Sequence, residues 1–141
     1  MADFDILATE VLTGSEEGRP MVLSHPATGR PFLDAEKKPV AVYMRGRHSA
    51  VARAVLREIN DERAAIQADG RVVTPEQNEA FNTRYLVAMT VRWTWTKLGG
   101  EDFPYSPDNA ERFWSDPRFR HWRERGLIFV AEDGNFLAAS A

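Results

Sequence analysis

The spacing of hydrophobic residues in the first third of the chain is that of short strands. The run PVAVYMRG places Val40, Val42 and Met44 on one side of an extended chain, which is the two-residue alternation of a half-buried strand. A second apolar run, PMVLSH, precedes it, and the Pro- and Gly-rich sequence PATGRPF that follows this run indicates a turn. We therefore predict a β-hairpin or a three-strand meander over residues 20–46. A hairpin alone is only marginally stable in water, so it must pack on another element.

Residues 1–19 allow no single assignment. The sequence SEEGR at their end indicates a loop. Five apolar side chains in this segment are able to dock it on the rest of the protein: Phe4, Ile6, Leu7, Val11 and Leu12.

The hydrophobic spacing changes to that of helices after Arg47. Val51, Val55 and Ile59 recur every four residues behind Ser49, which is suited to cap a helix. This pattern predicts an amphipathic and mostly solvated helix that runs to about residue 68 and stops before a glycine.

The clearest helix start in the chain is at Thr74. Pro75 follows at the first helical position, and Gln77 is placed to complete a capping box with Thr74. The first stop signal is the Gly99–Gly100 pair. We predict one long helix over residues 74–98.

A cap followed by proline occurs twice more and completes the predicted fold. Ser106–Pro107 predicts a short helix, and Asp116–Pro117 predicts a last helix that closes at Asp133 and Gly134. The fold class is then α+β, mostly α: a small N-terminal β-hairpin or meander followed by about four helices in a single core. We expect one domain, 1–141, whose parts are an N-terminal segment (1–19), a β-hairpin (20–46), a helical part (47–134) and a tail (135–141).

The predicted 74–98 helix is apolar on nearly every side. Trp93 and Trp95 would point about 200° apart on it, so one helix face cannot bury both rings. The helix is then either the central one, wrapped by the other elements, or it leaves one apolar stripe for another chain. Our hypothesis is that Leu86, Met89 and Trp93 form a face for a client or for self-association. Phe81, Tyr85 and Trp95 would then be core, although nothing in the pattern prevents the opposite assignment.

Composition narrows the function classes. The net charge is −3 and the pI about 5.6, so no global charge attracts nucleic acid or an anionic membrane. The chain contains no cysteine, which excludes disulfides, thiolate zinc sites and cysteine nucleophiles. We see no signal peptide and no apolar run near the roughly 20 residues that span a bilayer. We expect a cytosolic protein.

No pattern of catalytic or metal-binding residues is present. His25, His48 and His121 lack partners at metal-ligand spacing, and no phosphate- or dinucleotide-binding glycine motif occurs. We expect no cofactor and no enzymatic activity, while an enzyme of an unfamiliar kind stays open.

Basic and aromatic residues alternate in the segment PRFRHWRERG. Such a mixture is able to bind single-stranded nucleic acid, or to contact a protein partner through residues such as Arg118 and Trp122. The spacing of Phe119 and Trp122 also suits a core stripe whose arginines face solvent. Because the chain is acidic overall, we do not expect nucleic acid as the partner.

The order of these segments resembles that of the tail assembly chaperones of long-tailed bacteriophages. HPATGRPF leads into a strand and then GRHSAVARAV, a long tryptophan-bearing helix ends in VRWTW, and FPYSPDNAERFWSDPRFR and EDGNFLAAS follow. The resemblance covers residues 20–138, and His48 departs from it, since an aspartate is expected before Ser49. The matching positions are Phe103, Pro104, Ser106, Asn109 and Ala110 in the helix cap, and Asn135, Phe136 and Leu137 at the end.

The resemblance implies a protein that acts by binding other proteins. Such chaperones bind the tape measure protein, keep it soluble, help to recruit the tail tube protein and self-associate. They work in the host cytoplasm and are absent from the mature virion, and many also occur as a longer, frameshifted form. Two other classes stay open: a structural virion protein such as a head–tail connector or minor tail component, and a nucleic-acid-binding regulator.

Overall fold

The computed structural model describes residues 3–137 and has five α-helices and two small antiparallel sheets. The α+β, mostly α prediction is confirmed. The helices are α1 (Asp3–Glu17), α2 (Ala50–Ala68), α3 (Pro75–Met89), α4 (Pro107–Ser115) and α5 (Arg120–Ala131). The strands are β1 (Arg19–Val22), β2 (Ala41–Met44), β3 (Thr90–Trp93), β4 (Lys97–Leu98) and β5 (Glu101–Asp102). Two 3₁₀ turns complete the order, Pro117–Phe119 and Asp133–Phe136.

The helix caps lie where the sequence predicts them. The Ser49 side chain accepts from the Ala52 backbone N–H at the start of α2. Thr74 and Gln77 form the reciprocal capping box of α3, and Ser106 caps α4. Asp116 caps the 3₁₀ turn Pro117–Phe119, so that α5 itself begins three residues later than the predicted last helix. These caps are short-range hydrogen bonds, which explains why local sequence is sufficient to place them.

The prediction of one helix over residues 74–98 is wrong. Helix α3 ends at Met89, and Thr90–Trp93 is a strand that pairs antiparallel with β2, with Val42 opposite Trp93. The sequence TVRWT is rich in β-branched and aromatic residues, which favour an extended chain, and β2 offers backbone hydrogen bonds. The free edge of β2 therefore ends the helix ten residues before the glycine pair.

The three-stranded sheet has the order β1-β2-β3. The predicted hairpin over residues 20–46 is present as β1 and β2, and two isolated bridges, Ser24 with Pro31 and Leu33 with Pro39, extend along the connection between them. The third strand of the meander does not come from this segment. It is β3, about fifty residues further along the chain, so the pairing of β2 with β3 joins residues that are far apart in sequence.

One core joins the sheet to α2, α3, α4 and α5. Its largest fully buried side chains include Trp114, Phe136, Met44 and Leu86. Helix α5 approaches closely at Gly126, where a Cβ atom would lie 3.2 Å from the Trp114 ring and 3.3 Å from Leu86 Cδ2. The C-terminal half of α3 is therefore enclosed by α4, α5 and the sheet.

The segment predicted as a tail is partly core. Phe136 is 1% exposed and lies in the 3₁₀ turn Asp133–Phe136, which packs against the end of α1. Residues 138–141 of the predicted tail, like residues 1–2 of the N-terminal segment, lie outside the described residues.

Candidate partner-binding surface

The predicted partner face on the central helix is buried. Leu86 and Met89 are 0% exposed and Trp93 is 7% exposed. Because the chain leaves the helix at Thr90, Trp93 is not on a helical stripe with the other two residues at all. The prediction that these three side chains form an exposed face is wrong. Leu86, Met89 and Trp93 are part of the core that the sheet forms with α3, α4 and α5.

Trp93 lies at the centre of an aromatic cluster. Its ring stacks on Trp95 with centroids 4.6 Å apart and on Phe103 with centroids 5.6 Å apart, and Tyr105 meets it edge-on at 5.3 Å. Its Nε1 donates to the Phe103 carbonyl oxygen at 3.3 Å. Phe113 contacts both tryptophan rings. The second tryptophan of the pair therefore touches the first one, inside the same chain.

Arg118 and Trp122, the other two predicted contact residues, have partners of their own. Arg118 forms a two-point ion pair with Asp116 and also lies over the Phe119 ring. Trp122 is half-buried, and its Nε1 donates to the Ser24 carbonyl oxygen at 3.1 Å. The structure thus uses Trp122 to hold the β1–β2 connection on α5. Arg118 and Trp122 reach the aromatic cluster through Phe119, whose ring stacks on Phe113 at 4.8 Å.

An acidic side chain also holds two more of the four arginines of this segment. Glu79 of α3 receives both Arg120, at 3.0 Å, and Arg123, at 3.1 Å. These pairs fasten α5 to α3, and they reduce the positive charge that the segment would offer to a phosphate backbone.

Each of the three histidines contacts other side chains or backbone groups of the protein. The Nδ1 atom of His25 accepts from the backbone N–H of Ala27, and His121 meets Trp122 edge-on. His48 lies 3.0 Å from Asp133, which also pairs with Arg47 through both carboxylate oxygens. No group of three or more metal-ligating side chains occurs within residues 3–137.

Asp133 makes contacts with Arg47 and His48 that the sequence did not predict. The hydrogen bonds from Arg47 lower the pKa of its carboxyl group to about 2, with a smaller contribution from His48 and an opposing effect of burial. The backbone N–H of Arg47 also donates to the Val130 carbonyl oxygen at 3.2 Å. Asp133 therefore ties the loop before α2 to the end of α5, over more than eighty residues of sequence, and only the fold brings the two together.

Four of the eleven exposed large apolar side chains among the described residues lie on α1, more than on any other element. Every residue from Asp3 to Thr9 is exposed, and the large apolar ones are Phe4 at 71%, Ile6 at 45% and Leu7 at 49%. Leu12 in the next turn is exposed to 49%. Large exposed apolar side chains grouped on one element mark a surface for another molecule. The sequence shows that these residues are apolar, but it does not show that they are exposed. Their exposure depends on how α1 is attached to the rest of the protein.

Among residues 3–137, the last turn of α1 makes the contacts that attach this helix to the rest of the protein. Gly14 and Ser15 are buried there, and a Cβ atom at Gly14 would lie 1.9 Å from the Phe136 carbonyl oxygen. The backbone N–H of Gly46 donates to the Ser15 carbonyl oxygen at 3.1 Å, and that of Ala50 donates to the Glu16 carboxylate at 2.7 Å. Glu16 thereby also supplies a negative charge at the N-terminus of α2, where it is stabilising.

Helix α1 combines its apolar residues with uniform negative charge. It contains Asp3, Asp5, Glu10, Glu16 and Glu17 and no lysine or arginine. Among residues 3–137, no helix is long and apolar enough to cross a membrane. The candidate site is therefore an acidic helix with exposed apolar side chains that is anchored at one end.

Comparison with protein-family models, with curated proteins and with solved structures found no match to this chain.

Proposed function

We propose that this chain is a tail assembly chaperone of a long-tailed bacteriophage. In this role it binds the tape measure protein, keeps it soluble and helps to recruit tail tube subunits while the tail is built. It acts in the host cytoplasm and is absent from the finished particle. The order of motifs from HPATGRPF to EDGNFL supports the class of protein.

The observation that carries the proposal is the exposed apolar side of α1. A chaperone for an apolar helical client needs apolar side chains that are accessible, together with charges that keep its own copies apart. Helix α1 has both, with Phe4 and Leu7 exposed among five acidic residues. The client surface therefore moves from Leu86, Met89 and Trp93, which are core, to α1.

The test is co-expression with the tape measure protein encoded in the same genome. We expect the tape measure protein to be insoluble alone, and to become soluble and co-elute with this chain when the two are made together. Tail particles purified from the same host should lack this chain.

Two results would refute the proposal. If the tape measure protein stays insoluble with an excess of this chain, the chaperone role fails. If the chain is found in purified particles in a fixed ratio to portal or tube subunits, it is a structural component such as a connector.

A nucleic-acid-binding role has less support. Three of the four arginines of PRFRHWRERG are held by Asp116 or Glu79. A binding assay with single-stranded DNA at low and high salt provides the check, because affinity that depends on phosphate contacts falls steeply with salt.

A further inference from the structure

We propose that α1 binds a second helix whose apolar stripe is flanked by lysine or arginine, as a two-helix, coiled-coil-like contact. This inference rests on the proposed function, because it names the kind of client segment that the chaperone would recognise. It can nevertheless be tested without the client.

The apolar residues of α1 have the spacing of a coiled-coil seam. Phe4, Leu7, Val11 and Gly14 follow one another at intervals of three, four and three residues, which is the a/d repeat that places side chains against a facing helix. On the helical wheel Leu7 and Val11 lie within about 60° of Phe4. The stripe therefore spans about three turns, or roughly 15 Å of helix.

The seam is already used at its C-terminal end. Gly14 packs against the backbone of Phe136, and Ser15 beside it is buried against Gly46. From Val11 towards Phe4 the same stripe continues outward and its side chains become exposed. The open part of the surface is thus continuous with an interface within the chain, and its direction is set by the anchored end.

The charged residues beside the apolar seam indicate which charge the partner helix needs. Asp3 and Glu10 lie about 100–120° from Phe4 on the side of Leu7, next to the seam. With Phe4 and Val11 at a positions, both acids occupy g positions, the flank of a coiled coil where opposite charges select the partner. Because α1 carries no basic residue, its carboxylates have no cation on their own helix, and a Lys- or Arg-flanked helix complements them.

A second copy of α1 fits this surface poorly. Two α1 helices side by side would bring Asp3 and Glu10 of both copies to one interface without a lysine or arginine from either helix, and like charges across an interface are destabilising. The charge therefore favours a different, basic helix over α1–α1 pairing.

The experiment measures binding of two synthetic helical peptides to the full chain by fluorescence anisotropy. Both peptides carry three heptads with leucine at the a and d positions. One has lysine and the other glutamate at the flanking positions. We expect the lysine peptide to bind at least tenfold more tightly than the glutamate peptide, with an affinity that falls as salt rises.

The matched variants are Leu7→Ala and Ile6→Ala. The two side chains are adjacent and about equally exposed, at 49% and 45%, but Ile6 lies roughly 160° away from the stripe residue Phe4. We expect Leu7→Ala to weaken binding of the lysine peptide at least fivefold and Ile6→Ala less than twofold. Equal effects of the two variants, or equal binding of the two peptides, would overturn the proposal.

The same variants separate this inference from the proposed function. If the tape measure protein is solubilised equally well by Leu7→Ala and by the unaltered chain, the chaperone role holds and the α1 inference fails. If the lysine peptide binds as expected but the tape measure protein is not solubilised, α1 recognises basic helices and the proposed function fails. If Leu7→Ala instead dissociates an oligomer of this chain and neither peptide binds, the occupant is a second copy and the inference is overturned.

Discussion

The indole rings of Trp93 and Trp95 stack in parallel, with centroids 4.6 Å apart and planes within 5° of each other. Residues two apart point to the same side of an extended chain, whereas on a helix they would diverge by roughly 200°. The contact therefore depends on the end of α3 at Met89: Trp93 is the last residue of β3, and Trp95 lies in the segment that follows this strand. It places both tryptophans in the interior contacts of one chain instead of dividing them between a core and a partner.

The two tryptophans are expected to respond differently to the same substitution. Trp93 Nε1 donates to the Phe103 carbonyl oxygen, whereas Trp95 Nε1 is buried without an acceptor within residues 3–137. Trp93→Phe should lower the free energy of unfolding by about 2 kcal/mol, because it removes a hydrogen bond and buried ring volume. Trp95→Phe should cost less than about 1 kcal/mol, since it also removes an unpaired N–H. Urea unfolding of the two variants is the measurement, and equal costs would contradict the geometry.

The Thr90 hydroxyl group is a buried polar group that makes hydrogen bonds in the core, and we expect it to contribute to stability. It is 1% exposed, its hydroxyl donates to the Leu86 carbonyl oxygen at 2.7 Å, and it accepts from Trp114 Nε1 at 2.9 Å. Thr90→Val should lower the free energy of unfolding by about 1–3 kcal/mol, because it leaves the Trp114 N–H buried without its acceptor. Thr90→Ser keeps the hydroxyl and serves as the control.

A double-mutant cycle isolates the bond between these two side chains. In a Trp114→Phe background the N–H is already gone, so Thr90→Val should cost about 1 kcal/mol less than in the unaltered chain. Strictly additive effects of the two substitutions would show that the bond contributes nothing.

Asp133 is expected to make stability depend on acid pH. Its pKa is lowered to about 2 in the folded protein, so its contribution is complete above its ordinary pKa near 4 and is lost as the pH falls from about 4 to about 2. The group is partly exposed to solvent, so we expect a loss on the order of 1 kcal/mol after screening. Asp133→Asn should remove this part of the acid dependence, measured by urea unfolding at pH 6 and at pH 3. The control is Asp61→Asn at an exposed position on α2, and an identical effect of both variants would contradict the assignment.

Gly14 is expected to be essential for the attachment of α1. A Cβ atom there would overlap the Phe136 carbonyl oxygen, whereas a Cβ atom at Gly134 meets nothing within 4 Å. Gly14→Ala should lower the free energy of unfolding by about 1–3 kcal/mol through overpacking. Gly134→Ala should change it by less than about 0.5 kcal/mol. Thermal and urea unfolding of the pair are the measurements, and a harmless Gly14→Ala would mean that α1 is attached in another way.

Much of the fold was predictable from local sequence, because its signals are local. Ser49, Thr74 and Ser106 each cap a helix through hydrogen bonds that span three residues. The end of α3 was not predictable in this way, since Thr90–Trp93 becomes a strand only when β2, more than forty residues earlier, lies beside it. The alternation in TVRWTW is typical of a strand, whereas the glycine pair that follows it indicates only where a helix would have to stop.

The candidate site was less predictable than the fold. Hydrophobic pattern alone does not distinguish a side chain that is enclosed by other elements, such as Met89, from one that is left open, such as Leu7. The difference lies in the anchoring of α1 by Gly14 and Phe136, a contact between the two ends of the chain that no short-range rule contains.

The most direct test of the central claim, that the chain binds a helical client through α1, is hydrogen–deuterium exchange with and without the co-expressed tape measure protein. A three-turn helix without a neighbour is marginal in water, so the amides of residues 7–13 should exchange rapidly in the free chain. The account predicts that they slow at least tenfold in the complex, while α3 and β3 change little. Protection that appears elsewhere and leaves α1 unchanged would contradict it.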